Sequence, residues 1–184
     1  MNKVFIATSL DGYIADQKGE IDWLHAIPNP ENDDMGYHEF ISTVDALVMG
    51  RTTFETVLGF DIDWPYKIPV FVLSRTLNTV PEDLTGKVKL IKGSPPEILK
   101  SIRDKGFQNL YIDGGTTIQG FLKEDLIDQI IITTIPVLLG GGSPLFGALD
   151  QHLHFEHVRS TCYLNCIVQN EYRRKSHKTD AGYE

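Results

Sequence analysis

Short apolar runs that end at a glycine or a polar turn, followed by residues at helical spacing, recur along most of this chain. KVFIATS at 3–9, DALVMG at 45–50, IPVFVLSR at 68–75, KVKLIK at 87–92, NLYIDGG at 109–115 and the run from Asp128 read as strands. TTFETVL, PPEILKSIRDKG and TTIQGFLKED read as helices between them, the second with proline at its start and glycine at its end. Alternating strands and helices predict an α/β domain on a mostly parallel central sheet. ENDDMGYHEFISTV, residues 31–44, opens on residues that suit a helix start and predicts a further helix. HLHFEHVRSTCYLNCIVQNEYRR, residues 152–174, reads as two alternating strands and predicts a C-terminal antiparallel hairpin. Residues 1–175 then make one domain and residues 176–184 a polar C-terminal tail.

With 41% hydrophobic and 23% charged residues, 184 residues suffice for one soluble domain with a sizeable core. No run approaches the ~18 apolar residues of a membrane span, and MNKVFIATSLDG lacks the apolar block of a secretory signal, so a cytoplasmic protein is expected. An excess of 25 acidic over 17 basic residues argues against nucleic-acid binding, which rests on phosphate neutralisation by Lys and Arg. Cys162 and Cys166 fall in a strand-like stretch; i and i+4 in one strand lie ~13 Å apart, too far to bridge.

In an open α/β sheet, ligands bind beyond the carboxyl ends of strands. Three such ends carry chemistry. After DALVM come Gly50, Arg51, Thr52 and Thr53; Thr52 with Glu55 fits a capping box, and the exposed N–H groups of a helix start favour an anion. Arg51 adds a planar cation suited to phosphate, or is simply a solvated residue. VLSR offers Ser74 and Arg75 at the next strand end, where a ribose phosphate or only water would meet them. IDGGTT pairs glycines between strand and helix, which lets a backbone approach pyrophosphate. Neither G-x-G-x-x-G nor G-x-x-x-x-G-K-[ST] occurs. Two arginines at separate strand ends suit NADP(H), with its extra phosphate, better than NAD.

MGRTTFE, VLSR and IDGGTTIQGFL, in this order behind an opening strand with SLDGYIA, resemble the dihydrofolate reductase fold. PVLLGGGSPLF is similar to the RibD C-terminal reductase domain of riboflavin biosynthesis and its stand-alone relatives. The resemblance implies a three-layer α/β/α domain and hydride transfer from NADPH to a pteridine, pyrimidine or related heterocycle, with the ribosylaminopyrimidine phosphate of riboflavin synthesis as one candidate. It implies that Gly50, Arg51, Thr52 and Thr53 line the cofactor phosphates, and that Leu73, Ser74 and Arg75 take the adenosine side with its 2′-phosphate. Asp113, Gly114, Gly115, Thr116 and Thr117 would hold the pyrophosphate and nicotinamide side, with Ala7 and Ile14 flanking the nicotinamide. It also implies a homodimer, for which the C-terminal hairpin could supply the interface. A true dihydrofolate reductase, or a nucleotide-binding module without catalysis, remain alternatives.

Counting back from MGR without a gap puts Asp34 where bacterial dihydrofolate reductases keep the carboxylate that contacts the pterin ring. Asp34 is thus a candidate to orient substrate and help supply a proton; it also suits a helix start, which needs no substrate. Trp23 falls where those enzymes carry a tryptophan near the substrate, or else packs in a lid formed by residues 10–24. His152, His154 and His157 do not share one strand face, so no metal is expected. The zinc deaminase signature and the G-x-S-x-G elbow are both missing.

Overall fold

Strand β3, Ala46–Gly50, shows how the alternation of apolar runs is used. Ala46, Leu47, Val48 and Met49 are all 0% exposed, because β3 lies inside a sheet covered on both faces. Side chains alternate across a strand, so Ala46 and Val48 enter one core while Leu47 and Met49 enter the other. The structure, a computed structural model, describes residues 1–175; the predicted polar tail, residues 176–184, lies outside the described residues.

The elements follow the chain as β1 (Asn2–Ser9), β2 (Tyr13–Ala15), α1 (Tyr37–Ile41), β3, α2 (Arg51–Leu58), β4 (Val70–Leu73), β5 (Val88–Ile91), α3 (Pro95–Arg103), β6 (Leu110–Asp113), α4 (Gly115–Lys123), β7 (Gln129–Ile135), β8 (Ser143–Pro144), β9 (Phe155–Tyr163) and β10 (Ile167–Arg174). Eight strands form one sheet in the order β5-β4-β3-β6-β1-β7-β10-β9. β5 through β7 pair in parallel, and β10 runs antiparallel to both of its neighbours. Phe40 of α1 and Phe54 of α2 pack into the core on one face. Ile98, Leu99 and Ile102 of α3, with Ile118, Phe121 and Leu122 of α4, fill the core on the other. This is a three-layer α/β/α domain with a mostly parallel sheet and a C-terminal antiparallel hairpin.

Local chemistry fixes the ends of these elements. At α3, Glu97 reaches back to accept the N–H of Ser94 at 2.8 Å, and prolines fill the first helical positions, where no donor is needed. The hairpin turns on Leu164 and Asn165, both at positive φ (50° and 58°), the pattern of a tight two-residue loop. Cys162 on β9 and Cys166 therefore lie on opposite sides of a turn, not along one strand as expected; both are free and exposed. Glu171, 8% exposed, accepts from Arg159 at 2.8 Å and from Gln129 at 2.6 Å, which satisfies a buried carboxylate inside the hairpin.

Two expectations change. The helix predicted over residues 31–44 begins only at Tyr37, because Asn32 (φ 51°), Met35 (φ 52°) and Gly36 (φ 83°) turn the chain with left-handed backbone. The loop after β1 is not wholly irregular: β2 pairs with β8, the Ser143–Pro144 strand of the glycine-rich segment. Truncating Phe121, 0% exposed where α4 meets the sheet, is expected to cost about 3–5 kcal/mol for Phe121→Ala, read from urea unfolding midpoints at unchanged slope.

Candidate functional site

The chain leaves β3 through α2 toward β4 on one side, and leaves β6 through α4 toward β7 on the other. β3 and β6 are neighbours, and the two helices cover opposite faces of the sheet. The two connections thus diverge, opening a crevice beyond the carboxyl ends of these strands, the place where open α/β sheets hold ligands. A cleft of about 920 Å³ lies there, lined by Ala7, Gly50, Leu73 and Asp113 from the ends of four parallel strands. It is near the upper end of the roughly 300–1,000 Å³ typical of small-molecule sites.

The two helix starts almost touch. Gly114 has φ 87° and ψ 136°, a conformation that an L side chain resists, and a Cβ there would strike the Thr53 hydroxyl oxygen of α2. A Cβ on Gly115 would come within 2.8 Å of the Ile14 side chain, which β2 carries over the cleft. The paired glycines therefore permit close packing of two helices and a flap as well as close approach by a ligand. Gly50, Arg51, Thr52 and Thr53 on one side and Gly114, Gly115, Thr116 and Thr117 on the other all line the cleft. N–H groups in the first turn of a helix have no acceptor within it, so both starts present donors and a partial positive charge.

Arg51 occupies the first position of α2, and Gly50 is the cap; the expected Thr52–Glu55 capping box does not form. Glu55 instead accepts from Arg51 Nε at 2.6 Å, and Arg51 Nη1 donates to Thr76 Oγ1 at 2.9 Å. A cation at a helix N-terminus opposes the helix dipole, so its position is one that an anion improves. Ser74 is buried, and its Oγ accepts the N–H of Leu77 at 2.8 Å and of Thr76 at 3.3 Å. That hydroxyl secures the turn after β4. Leu73 lines the cleft, whereas Ser74 and exposed Arg75 lie outside the lining.

Ala7 and Ile14 line the cleft from β1 and β2, and the loop beyond adds Gly19, Ile21 and Leu24. Trp23 is not brought to the lining: it sits half-buried in a 3-10 turn, Asp22–His25, with its indole N–H buried and unpaired. Asp34 is not brought there either. Its exposed carboxylate accepts from Gly36 N and His38 N, each at 2.9 Å, and so secures the start of α1. Among the described residues, no three His, Cys, Asp or Glu side chains converge to hold a metal.

The carboxyl group that lines the cleft is Asp113. Oδ1 accepts the Gly114 N–H at 2.8 Å. Burial pushes its carboxyl up to about 6, with the Gly114 N–H and the Tyr111 hydroxyl pulling the other way. Burial and then the Asp113 charge push Tyr37 up to about 12 and raise Tyr66 and Tyr111 as well. Tyr66 also lines the cleft; its ring packs edge-on against Trp64 at 5.2 Å, and Trp64 packs against Phe54 of α2 at 5.8 Å. Nothing in the pattern of residues 59–67 singles out Tyr66, because its role comes from packing across the fold. Pro144 and Gln119 are likewise lining residues without a local signal.

This fold and cleft have counterparts. The sequence matches the RibD C-terminal domain over residues 3–168. The chain belongs to that family. A Shewanella sp. PV-4 structure, described as a candidate riboflavin biosynthesis protein, is 55% identical with a TM-score of 0.92, covering 95% of this chain and 99% of that one. A Thermotoga maritima diaminohydroxyphosphoribosylaminopyrimidine deaminase/5-amino-6-(5-phosphoribosylamino)uracil reductase has a TM-score of 0.73 at 16% identity, covering 95% of this chain and 56% of that one. Enterococcus faecalis dihydrofolate reductase, complexed with NADP(H) and RAB-propyl, has a TM-score of 0.68 at 22% identity, covering 96% and 97%. At these identities the last two share the fold of this RibD C-terminal domain.

Gly114→Ala is expected to lower the stability of this RibD C-terminal domain by roughly 1–3 kcal/mol, the cost of a side chain in that backbone region. The clash with Thr53 adds to it, and Thr53→Ala in the same chain should recover only that added part; a urea double-mutant cycle reads both.

Proposed function

We propose that the chain is an NADPH-dependent reductase of the RibD C-terminal type, acting on a pteridine- or aminopyrimidine-like heterocycle such as 5-amino-6-(5-phosphoribosylamino)uracil. The observation that carries this reading is the meeting of two helix starts and Arg51 around one cleft at the divergence of β3 and β6. An acidic chain would repel a phosphorylated ligand from most of its surface, and this cleft supplies the donors that offset the repulsion. Membership in the family and the names of the similar structures support a reductase of the riboflavin type.

The residues fit the cofactor. Gly114 and Gly115 leave a cradle that added side chains would fill, and the N–H groups at the starts of α2 and α4 suit its pyrophosphate. Gly50, Thr52, Thr53, Thr116 and Thr117 complete that cradle. Leu73 packs the adenosine, and Arg51, whose guanidinium already reaches Thr76 beyond β4, takes the 2′-phosphate together with Arg75 and the turn secured by Ser74. Ala7, Ile14 and Asp113 enclose the nicotinamide end. NADPH, when bound, supplies a hydride to an electron-poor carbon. The chain positions the two partners, and residues 10–24 act as a lid that excludes water, with β2 already paired to β8 above the cleft. Trp23 packs within that lid. Asp34 would contact substrate in a true dihydrofolate reductase; here its carboxylate secures the start of α1, and reaching a substrate would require it to leave the Gly36 and His38 N–H groups. The protein works in the cytoplasm as a homodimer through the hairpin, whose outer strand β9 is largely exposed. No helix among the described residues is long and apolar enough to cross a membrane.

Incubation with NADPH and a panel of dihydropterins and aminopyrimidines should consume the reduced-nicotinamide absorbance; binding without turnover across the panel would favour the non-catalytic module. Arg51→Ala should weaken NADPH binding roughly 10- to 100-fold, the worth of one charge-assisted contact, with little change in unfolding midpoint. Hydrogen exchange of residues 10–24 should slow when NADPH is added, and no change there would remove the lid.

A further inference from the structure

Beyond the helix starts, the wall of the cleft is built from uncharged groups. Thr53, Thr56, Val57 and Phe60 follow the spacing of one helix face, and all four line the cleft along α2 and the turn after it. Tyr66 joins them from the segment before β4. At about 1.5 Å of rise per residue, Val57 stands roughly 9 Å further along α2 than Arg51. Phe60 is 40% exposed while lining the cleft, so its ring meets water that a flat ligand would displace. Polar contacts along this wall come from hydroxyls, of which Thr56 donates its own to Thr52 O at 2.9 Å. Among the described residues that line the cleft, Arg51 is the one cation, and it is held at the opposite end by Glu55 and Thr76.

The two segments that border this wall add negative charge. Residues 16–22, next to the lining residues Gly19 and Ile21, carry Asp16, Glu20 and Asp22 against Lys18. Residues 59–67, which include Phe60 and Tyr66, carry Asp61 and Asp63 against Lys67. A phosphate placed between them would leave water, meet no cation on the wall and face like charge at both borders, and each of these costs free energy. We infer that the substrate is an uncharged heterocycle, a pterin or aminopyrimidine carrying no phosphate, and that this half of the cleft selects against its phosphate ester. The inference rests on the reductase reading above and narrows it: the ring of 5-amino-6-(5-phosphoribosylamino)uracil is accepted, and its phosphate is what the wall disfavours. Phe60 and Val57 cover the face of the ring, while the hydroxyls of Thr53 and Tyr66 meet its C=O and N–H groups. Phosphate recognition is then confined to the cofactor, at the starts of α2 and α4.

The test compares compounds that differ only in a phosphate, in the whole protein saturated with NADP⁺: 5-amino-6-ribosylaminouracil against its 5′-phosphate, and dihydroneopterin against its 3′-phosphate. Calorimetric titration should show the uncharged member of at least one pair binding about tenfold or more tightly than its ester. With NADPH in place of NADP⁺, kcat/KM should follow the same order. Added salt should tighten binding of the ester, because it screens the acidic borders, and leave the uncharged compound unchanged. Phe60→Arg puts a cation on the wall at a position already 40% exposed; it should strengthen binding of the ester by about tenfold and weaken that of the uncharged compound. Equal or tighter binding of the ester in both pairs, ester binding that weakens with salt, or no gain in a Phe60→Arg protein of unchanged unfolding midpoint would each overturn the inference. So would failure of all four compounds to bind the NADP⁺-saturated protein. Failure to bind NADP⁺ or NADPH would overturn the reductase reading itself, whereas NADPH oxidation with the ester in preference to the uncharged compound would overturn this inference alone.

Discussion

The contact on which the cleft depends is the approach of Gly114 to Thr53, where the starts of α2 and α4 meet across the β3–β6 boundary. Two helices on opposite faces of a sheet come this close only if one of them lacks a side chain at the crossing. The backbone angles at Gly114 make the same demand independently, since φ 87° with ψ 136° lies where L residues are strained. One glycine thus determines both the spacing of the two sets of N–H donors and the path by which β6 enters α4. Ile14 over Gly115 repeats the arrangement one residue later and ties the flap to the same point.

Around that contact the cleft divides by charge. The helix starts and Arg51 favour anions, and Arg51 is kept extended toward Thr76 by its bond to Glu55. That ion pair is about half exposed on both sides, so water screens it and its main effect is to orient the guanidinium. On the α1–α2 side, buried hydroxyls and rings surround Asp113, and charge is disfavoured. A cofactor carrying phosphates at one end and a neutral ring at the other matches such a division, since each end meets the environment that costs it least.

Much of this was legible in the sequence because it is local. Apolar runs such as ALVM mark strands covered on both faces, and glycines at their ends mark the crevice. The sequence is less informative where nearby groups compete for one side chain or where distant parts of the chain meet. Thr52-x-x-Glu55 has the spacing of a capping box, yet helix α2 starts two residues too early to use it, and Glu55 is drawn to Arg51 instead. Asp34 has the right count from MGR, but three left-handed residues bend its carboxylate onto the start of α1. Ser74 looked available at a strand end and is consumed by the following turn. Tyr66 could not be anticipated, as Trp64 and Phe54 place it. Asp113 was visible as a residue, while the burial that raises its carboxyl depends on how the rest of the fold packs around it.

The strand order also governs how such a chain can assemble during synthesis. β1 is made first but sits between β6 and β7, pairing with Leu110 and Tyr111 on one side and with residues 129–135 on the other. Its neighbours emerge only after more than a hundred residues have followed it, so β1 cannot bury its Val4 or Phe5 in the sheet early. β3 and β4, by contrast, are separated by a single helix and can pair soon after they appear. Closing that long loop costs entropy before the contacts return it, so the order of the strands raises the contact order of the fold. Until those neighbours emerge a growing chain exposes an unpaired apolar strand, the kind of segment that chaperones shield.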